Sequence, residues 1–410
     1  MKNIGTVPVP AVNAGITHTP LPGSLVWLFA AASGLSVANV YYAQPLLDAL
    51  ARDFAISHAA VGGVITATQI GSALALLLLV PLGDKTDRRN LMTFQLAALI
   101  LALFIVGLAA TPAVLLGGML AVGMLGTAMT QGLIAYAAGV AGPGEQGRVV
   151  GAAQGGVFTG LLLARVFSGA VSDLAGWRGV YISSAIMMLL ILLPLRKHLP
   201  RMAVTQATGS YRQLIVSMVS LLKEQKVLQI RGILAFLMFA AFNIFWSALV
   251  IPLSAAPYSF SHTAIGAFGL AGAIGAIAAS NAGKQADRGY GQRTSFIALI
   301  LLIAAWLPIS FMGWSLWALI AGILLLDAGG QSLHVTSQSM IFRTGSEAHS
   351  RLTGLYMMFY AAGSGLGAIS ATMMHAYAGW NGVCLLGASV SLLALLFWRA
   401  TLNMPDETTC

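Results

Sequence analysis

The chain is 410 residues long, 58% hydrophobic and only 8% charged, with a formal net charge of +9. Soluble domains carry about 25% charged residues, so the composition excludes an ordinary water-soluble globule. Two cysteines, Cys384 and Cys410, exclude a disulfide framework and a cysteine metal set.

Residues 1–23 hold Pro8, Pro10, Pro20 and Pro22 and read as a flexible tail. They lack the basic start and small-residue cleavage site of a secretory signal. Apolar stretches then recur near 24–45, 59–82, 91–110, 113–139, 149–172 and 178–195. A second set runs near 229–252, 263–282, 294–313, 315–341, 352–373 and 380–399. About 20 apolar residues cross a bilayer as a helix, and continuous rather than alternating hydrophobicity excludes a closed barrel. Stretches 113–139 and 315–341 are long enough to require tilt or emergence from the lipid. The expectation is an all-α integral membrane protein with twelve transmembrane helices in two six-helix bundles, 24–195 and 229–400. The connection 196–228 sets Leu214, Ile215, Met218, Leu221 and Leu222 at helical spacing, as an interfacial amphipathic helix does. A short tail, 401–410, follows.

With a cytoplasmic N-terminus, every Lys and Arg except Arg52, Arg165 and Arg178 falls in or beside cytoplasmic connections. That bias fixes the expected orientation, with both termini inside. The positive charge is therefore a topology signal toward lipid headgroups. No contiguous basic and aromatic patch points to nucleic acid. No extra interface helix is evident, so a monomer is expected.

Gly83-Asp84-Lys85-Thr86-Asp87-Arg88 returns as Gly283-Lys284-Gln285-Ala286-Asp287-Arg288, each in a charged gap between apolar stretches. Gly176-Trp177-Arg178-Gly179-Val180 returns as Gly379-Trp380-Asn381-Gly382-Val383, and at the same offset Arg148, Gly151 and Gly160 match Arg351, Gly354 and Gly363. An ordered series of echoes marks an internal duplication, a common construction among transporters, with the substrate site between the repeats.

On these features the sequence resembles the major facilitator superfamily of transporters. Gly83, Asp87 and Arg88 fit its loop signature, while Lys85 and Asn90 depart from it. Ala38-Asn39-Val40-Tyr41-Tyr42-Ala43-Gln44-Pro45, Leu163-Ala164-Arg165 and Leu326-Asp327-Ala328-Gly329-Gly330-Gln331 look like a little-characterised bacterial branch of efflux permeases. The resemblance implies a multi-pass protein of the bacterial inner membrane that moves a small-molecule substrate through the lipid bilayer. It also implies gating roles for Gly83, Asp87 and Arg88 against the start of the eleventh stretch, 350–352. Gly283, Asp287 and Arg288 would act likewise against the start of the fifth. Two departures weaken the likeness to proton-driven drug exporters. The fifth stretch has no Gly-Pro pair, and Ala128 stands where those exporters carry an Arg ahead of Gln131-Gly132.

An ionisable group deep in the lipid region is a functional candidate because it costs a few kcal/mol or more to place there. Two charged residues lie deep, Arg165 and Asp327, at about 25 Å from the inner face on opposite halves at 1.5 Å per residue. Equal depth permits an ion pair across the interface. Asp327, Gln331, His334 and Gln338 fall at i, i+4, i+7 and i+11, one face of a helix. Asp327 is the first candidate proton carrier, Arg165 its partner and His334 the alternative. Asn39, Tyr41, Tyr42 and Gln44, with Thr130, Gln131, Asn243, Trp246, Gln331 and Gln338, describe a pocket of rings and hydrogen-bonding groups. Pro45 is expected to break the first helix.

The expected activity is secondary active transport by alternating access, driven by the proton gradient without a cofactor and directed toward efflux. Import or facilitated passage of a metabolite, and a channel or sensor without coupling, are the alternatives. The seven histidines are scattered without metal-ligand spacing, so an enzyme is not expected.

Overall fold

The computed structural model describes residues 21–142, 145–199, 210–342 and 349–402. Most of the tails 1–23 and 401–410 and part of the 196–228 connection lie outside the described residues. The described residues are all-helical. Nine segments are long and apolar enough to cross a membrane, and a tenth helix lies between the halves. We number them α1 (Gly23–Asp53), α2 (Gly63–Gly83), α3 (Arg88–Gly107), α4 (Pro112–Val140), α5 (Gln146–His198) and α6 (Tyr211–Glu224). The carboxy-terminal half comprises α7 (Lys226–Ser254), α8 (His262–Gly313), α9 (Leu316–Phe342) and α10 (Arg351–Thr401).

Three segments exceed 50 residues: α5, α8 and α10. Each is interrupted by one glycine in the left-handed region, Gly176 (φ 72°), Gly289 (φ 94°) and Gly379 (φ 64°), a conformation that costs glycine little. Where the hydropathy pattern separates two stretches, the chain turns on a single residue without a loop, so one helical segment covers both. The break in α1 falls as expected at Pro45: the helix Gly23–Tyr41 ends, a tighter turn takes Gln44–Leu46, and a helix resumes at Leu47.

Small residues hold each half together. A Cβ at Gly156 or Gly160 of α5 would collide with the carbonyls of Ala30 and Gly34 of α1. One at Gly363 or Gly367 of α10 would collide with those of Phe236 and Ala240 of α7. The same close crossing thus occurs twice. Without a water-driven hydrophobic effect between helices, such backbone approach is a principal source of association in lipid. The amphipathic stretch forms α6, capped at Ser210 by Gln213 Oε1 (2.6 Å). Met218 is buried, while Val216 and Val219 are exposed. Tyr211 of α6 donates to the Leu78 carbonyl (2.6 Å), and Arg351 of α10 donates to Ser217 Oγ (3.0 Å), so α6 touches both halves.

Replacing Gly160 by Leu should lower stability by about 1–3 kcal/mol or more through overpacking. Gly151→Leu, where an added Cβ meets nothing within 4 Å, should stay within about 0.5 kcal/mol of wild type. Thermal unfolding in detergent checks both.

Candidate functional site

The two halves meet most intimately through side chains near the Pro45 break. Arg165 of α5 is 3% exposed. Its Nε donates to Gln44 Oε1 (2.8 Å), and Gln44 Nε2 donates across the interface to Asn243 Oδ1 of α7 (3.2 Å). Asn243 Nδ2 donates to the Phe239 carbonyl one turn back (3.2 Å). The Arg165 guanidinium lies 4.0 Å from the centre of the Trp246 ring and 5.8 Å from that of Tyr41. The Tyr41 hydroxyl is hydrogen-bonded to the Tyr360 hydroxyl of α10. A desolvated cation–π contact contributes about 2 kcal/mol and a hydrogen bond to a charged group about 1.5–3. Together they offset only part of the several kcal/mol that burying a guanidinium costs.

Asp327 is also 3% exposed, so it does not face acyl chains. It sits where α9 meets α8 and α5. A Cβ at Gly272 of α8 would stand 3.1 Å from both Asp327 Oδ2 and Leu162 of α5, and one at Gly275 would press on the Asp327 backbone. The Arg165 and Asp327 charges are near enough to interact electrostatically. Among the described residues, however, no ion pair joins them, and both Arg165 Nη2 and Asp327 Oδ2 are buried without a hydrogen-bond partner. Glycines 269 and 272 pack against the two side chains, the first on the Arg165 stem and the second on the Asp327 carboxylate.

The remaining expected residues divide between the interface and the interior of each half. His334 is held within its own half: Nδ1 lies 2.9 Å from the Tyr356 hydroxyl, and the ring meets Phe239 edge-on at 5.2 Å. Gln331 and Gln338 are half-buried on the same helix. Asn39 donates to the Leu35 carbonyl (2.7 Å) and accepts from Ser184 (2.7 Å), and Tyr42 packs on Phe167 at 5.4 Å. These two fasten helices within the amino-terminal half rather than facing the partner half. Thr130 returns its hydroxyl to the Gly126 carbonyl (2.8 Å). Gln131 lines a small cavity of about 30 Å³ together with Gly83, Arg88 and Met92.

The two copies of the repeated loop motif turn and bond differently. Asp87 caps its own helix, accepting from the Arg89 backbone (3.0 Å) and Asn90 Nδ2 (2.9 Å). Arg88 donates to the carbonyls of Gly83 (2.9 Å) and Ala135 (3.2 Å). In the second half Gly283 lies inside a helix, Ala273–Gln285, and the turn comes at Gly289 instead. Asp287 accepts from Ser339 of α9 (2.8 Å), and Arg288 is in the turn beside it. As the N-cap of its helix, Asp87 satisfies an exposed backbone N–H locally.

Further hydrogen bonds join the halves toward the end of the molecule away from these turns. Thr66 Oγ1 donates to the Gly365 carbonyl (2.7 Å), Gly62 N–H to Thr372 Oγ1 (3.3 Å) and Thr372 Oγ1 to the Ala59 carbonyl (3.0 Å). At the motif end, Gly147, Gly151 and Gly155 face open space, and Gln154 and Thr159 are exposed. Tyr360 and the Thr66–Gly365 and Gly62–Thr372 contacts carried no sequence signal, since each is an ordinary residue within an apolar stretch.

Residues 26–280 and 231–409 match the family model described as Major Facilitator Superfamily. The chain belongs to the Major Facilitator Superfamily. Its relatives in this superfamily include the uncharacterized transporter YgaY of Escherichia coli O157:H7, 39% identical over 92% of this chain and 95% of that one. SCO4007 of Streptomyces coelicolor, named a probable transporter, is 28% identical over 92% and 87%. Among solved structures, a bacterial homolog to the human lysosomal transporter Spinster, in an inward-facing and occupied conformation, superposes with a TM-score of 0.74. It is 13% identical over 93% of this chain and 96% of that one. The superfamily is one of transporters, not enzymes, and the fold is that of two helical bundles related by the repeat.

Gln44→Leu should strip Arg165 and Asn243 of partners at once and destabilise the protein by about 1–3 kcal/mol. Adding Arg165→Met should restore part of that loss, because the stranded charge is then gone. Detergent melting of both single variants and the double variant closes the cycle.

Proposed function

We propose that the chain is a proton-coupled secondary carrier of the bacterial cytoplasmic membrane, exporting a small organic solute by alternating access. Both termini lie in the cytoplasm, and the motif end faces it, as the distribution of Lys and Arg supports. The protein works as a monomer, each half acting as one rigid bundle. The halves are hydrogen-bonded to each other at mid-depth and at the end away from the motif.

One observation carries the reading. A buried guanidinium and a buried carboxylate lie at mid-depth on opposite halves, and each keeps one polar atom unsatisfied. Buried polar groups are almost always paired, so two orphans at the moving interface mark a place that something else occupies during the cycle. Arg165 Nη2 suits an acceptor on the solute, a carboxylate or carbonyl oxygen. Trp246 and Tyr41 supply flat apolar walls beside it. Asp327 Oδ2 suits a proton. Neutralising Asp327 removes the attraction between the halves at mid-depth and frees Arg165 for the solute. Gln331 and Gln338 extend the polar face of α9 toward the motif end. His334, already bonded to Tyr356, serves to hold that face in place.

Proteoliposomes with an imposed pH gradient test the coupling, using a solute found by thermal-shift screening of metabolites and antimicrobials. Asp327→Asn should abolish gradient-driven accumulation while leaving solute counterflow measurable. Accumulation at the wild-type level in that variant would remove Asp327 from the role.

A further inference from the structure

Three ionisable side chains from three segments meet at the end away from the motif turns. Asp48 lies in the short helix after the Pro45 break, Asp173 shortly before the Gly176 turn, and His262 at the first residue of α8. All three fall outside the apolar stretches 24–45, 149–172 and 263–282. The two carboxylates belong to the amino-terminal half and the imidazole to the carboxy-terminal half. His262 Nε2 stands 2.9 Å from Asp48 Oδ1, and Nδ1 stands 3.1 Å from Asp173 Oδ1. Asp173 is fixed further by the backbone N–H groups of His262 (3.0 Å) and Thr263 (2.8 Å) and by the Thr263 hydroxyl (2.5 Å). Arg52 holds the other oxygen of Asp48 at 2.9 Å.

Ionised carboxylates only accept hydrogen bonds, and a neutral imidazole carries a single N–H. Bonds from both ring nitrogens to two carboxylates therefore require the doubly protonated imidazolium. A neutral ring would aim one lone pair at a carboxylate oxygen. We propose that His262, Asp48 and Asp173 form a proton-binding latch, in which protonated His262 pins the two halves together and shuts this end of the transport path. The latch rests on the alternating-access reading, and it is separate from the mid-depth pair.

The electrostatics agree in sign. The hydrogen bond to Asp48 raises the His262 pKa above its ordinary value; burial opposes this, and the charge of Asp48 and the contact with Asp173 add to the rise. Burial pulls Asp173 upward, but its hydrogen bonds from Thr263 and His262 prevail and hold it down at about 2. Asp48, raised by burial, is likewise held below its usual range by His262 and Arg52. The carboxylates thus stay ionised across the physiological range, and the imidazole is the group that titrates. Closure is favoured fully below the pKa that His262 has when the halves are apart. That advantage is lost as pH rises through the raised pKa of the closed state.

Other charges nearby have partners of their own or act elsewhere. Arg178 pairs with Asp53 at 2.5 Å. Burial lowers the His375 pKa, and the charge of nearby His58 lowers it further. A pH test therefore needs those two imidazoles replaced by Gln in the background.

Spin labels at Ala60→Cys and Ala255→Cys, both exposed positions at this end, report the gap between the halves in a variant lacking Cys384 and Cys410. In nanodiscs, the short-distance population should dominate at pH 5.5 and fall several-fold by pH 8.5. His262→Gln should abolish that response. His262→Arg, a permanent cation, should keep the short population at pH 8.5. Asp48→Asn and Asp173→Asn, tested singly, should each weaken the response, and they carry the test if His262→Gln does not fold. Two populations whose balance follows pH equally well in His262→Gln would overturn the latch and leave alternating access standing. One unvarying distance in every sample would overturn both.

Discussion

A cation that cannot reach water organises the centre of this molecule. Arg165 is buried in a bundle built almost wholly of apolar and small residues, and its charge is compensated from three directions. Gln44 takes one N–H, Trp246 covers a face, and Asp327 supplies an opposite charge nearby. Each comes from a different helix, and two of the three come from the other half. The cost of the charge is thus met only while the halves are together. Any motion that separates them must bring a replacement, whether water, solute or a changed proton count. A hydrophobic interface would impose no such demand. Buried charge at a moving joint makes the two arrangements of the joint chemically distinct.

Inside each half the helices meet through close backbone crossings. Helices α1 and α5 cross so tightly that Gly156 and Gly160 leave no space for a methyl group, and α7 and α10 do the same at Gly363 and Gly367. Backbone-to-backbone packing of this kind has no alternative register at low cost. Contacts between the halves combine close crossings of the same kind, Gly169 on the His262 carbonyl, Gly266 on the Arg165 carbonyl and Gly62 on the Ala368 carbonyl, with polar contacts: the Gln44–Asn243 pair, the Thr66 and Thr372 hydroxyls, the tyrosine pair and the His262 cluster. Polar contacts of this type can exchange for water at small net cost. The interface between the halves therefore holds both tight backbone crossings and exchangeable polar pairs.

Much of this design was legible in the chain. Continuous apolar stretches gave the class of fold, and the paired Gly-Trp-x-Gly strings marked two left-handed turns, now at Gly176 and Gly379. Pro45 marked a helix break for the steric reason expected of it. Depth counting placed Arg165 and Asp327 near each other, since 1.5 Å per residue holds in any straight helix. Which side of a helix meets which neighbour was less readable. Asn39 and Tyr42 share the stretch that holds Tyr41 and Gln44, yet a rotation of one residue, about 100°, turns them inward to Ser184 and Phe167. The His262 cluster was illegible because its members are separated by more than 80 residues and sit near helix ends in three different segments. Within the second charged gap the sequence did not single out Gly289, the residue whose positive φ makes the turn.

In the mechanism proposed above, the two proton-responsive places are arranged so that they need not compete. Asp327 lies at mid-depth, shielded by α5 and α8, whereas His262 sits at the end of its segment with Asp48 and Asp173. A proton at the first weakens the attraction across the centre; a proton at the second strengthens the clasp at one end. Loosening the middle while fastening one end leaves the bundles free to pivot about the fastened edge, and the opposite end is the one that opens. The uncovered glycine face near Gly151 and Gly155 lies at that opposite end. A carrier with only the central pair would have no reason to prefer either mouth. In the proposed mechanism the outer clasp supplies the preference, through the pH of the compartment that the clasp faces.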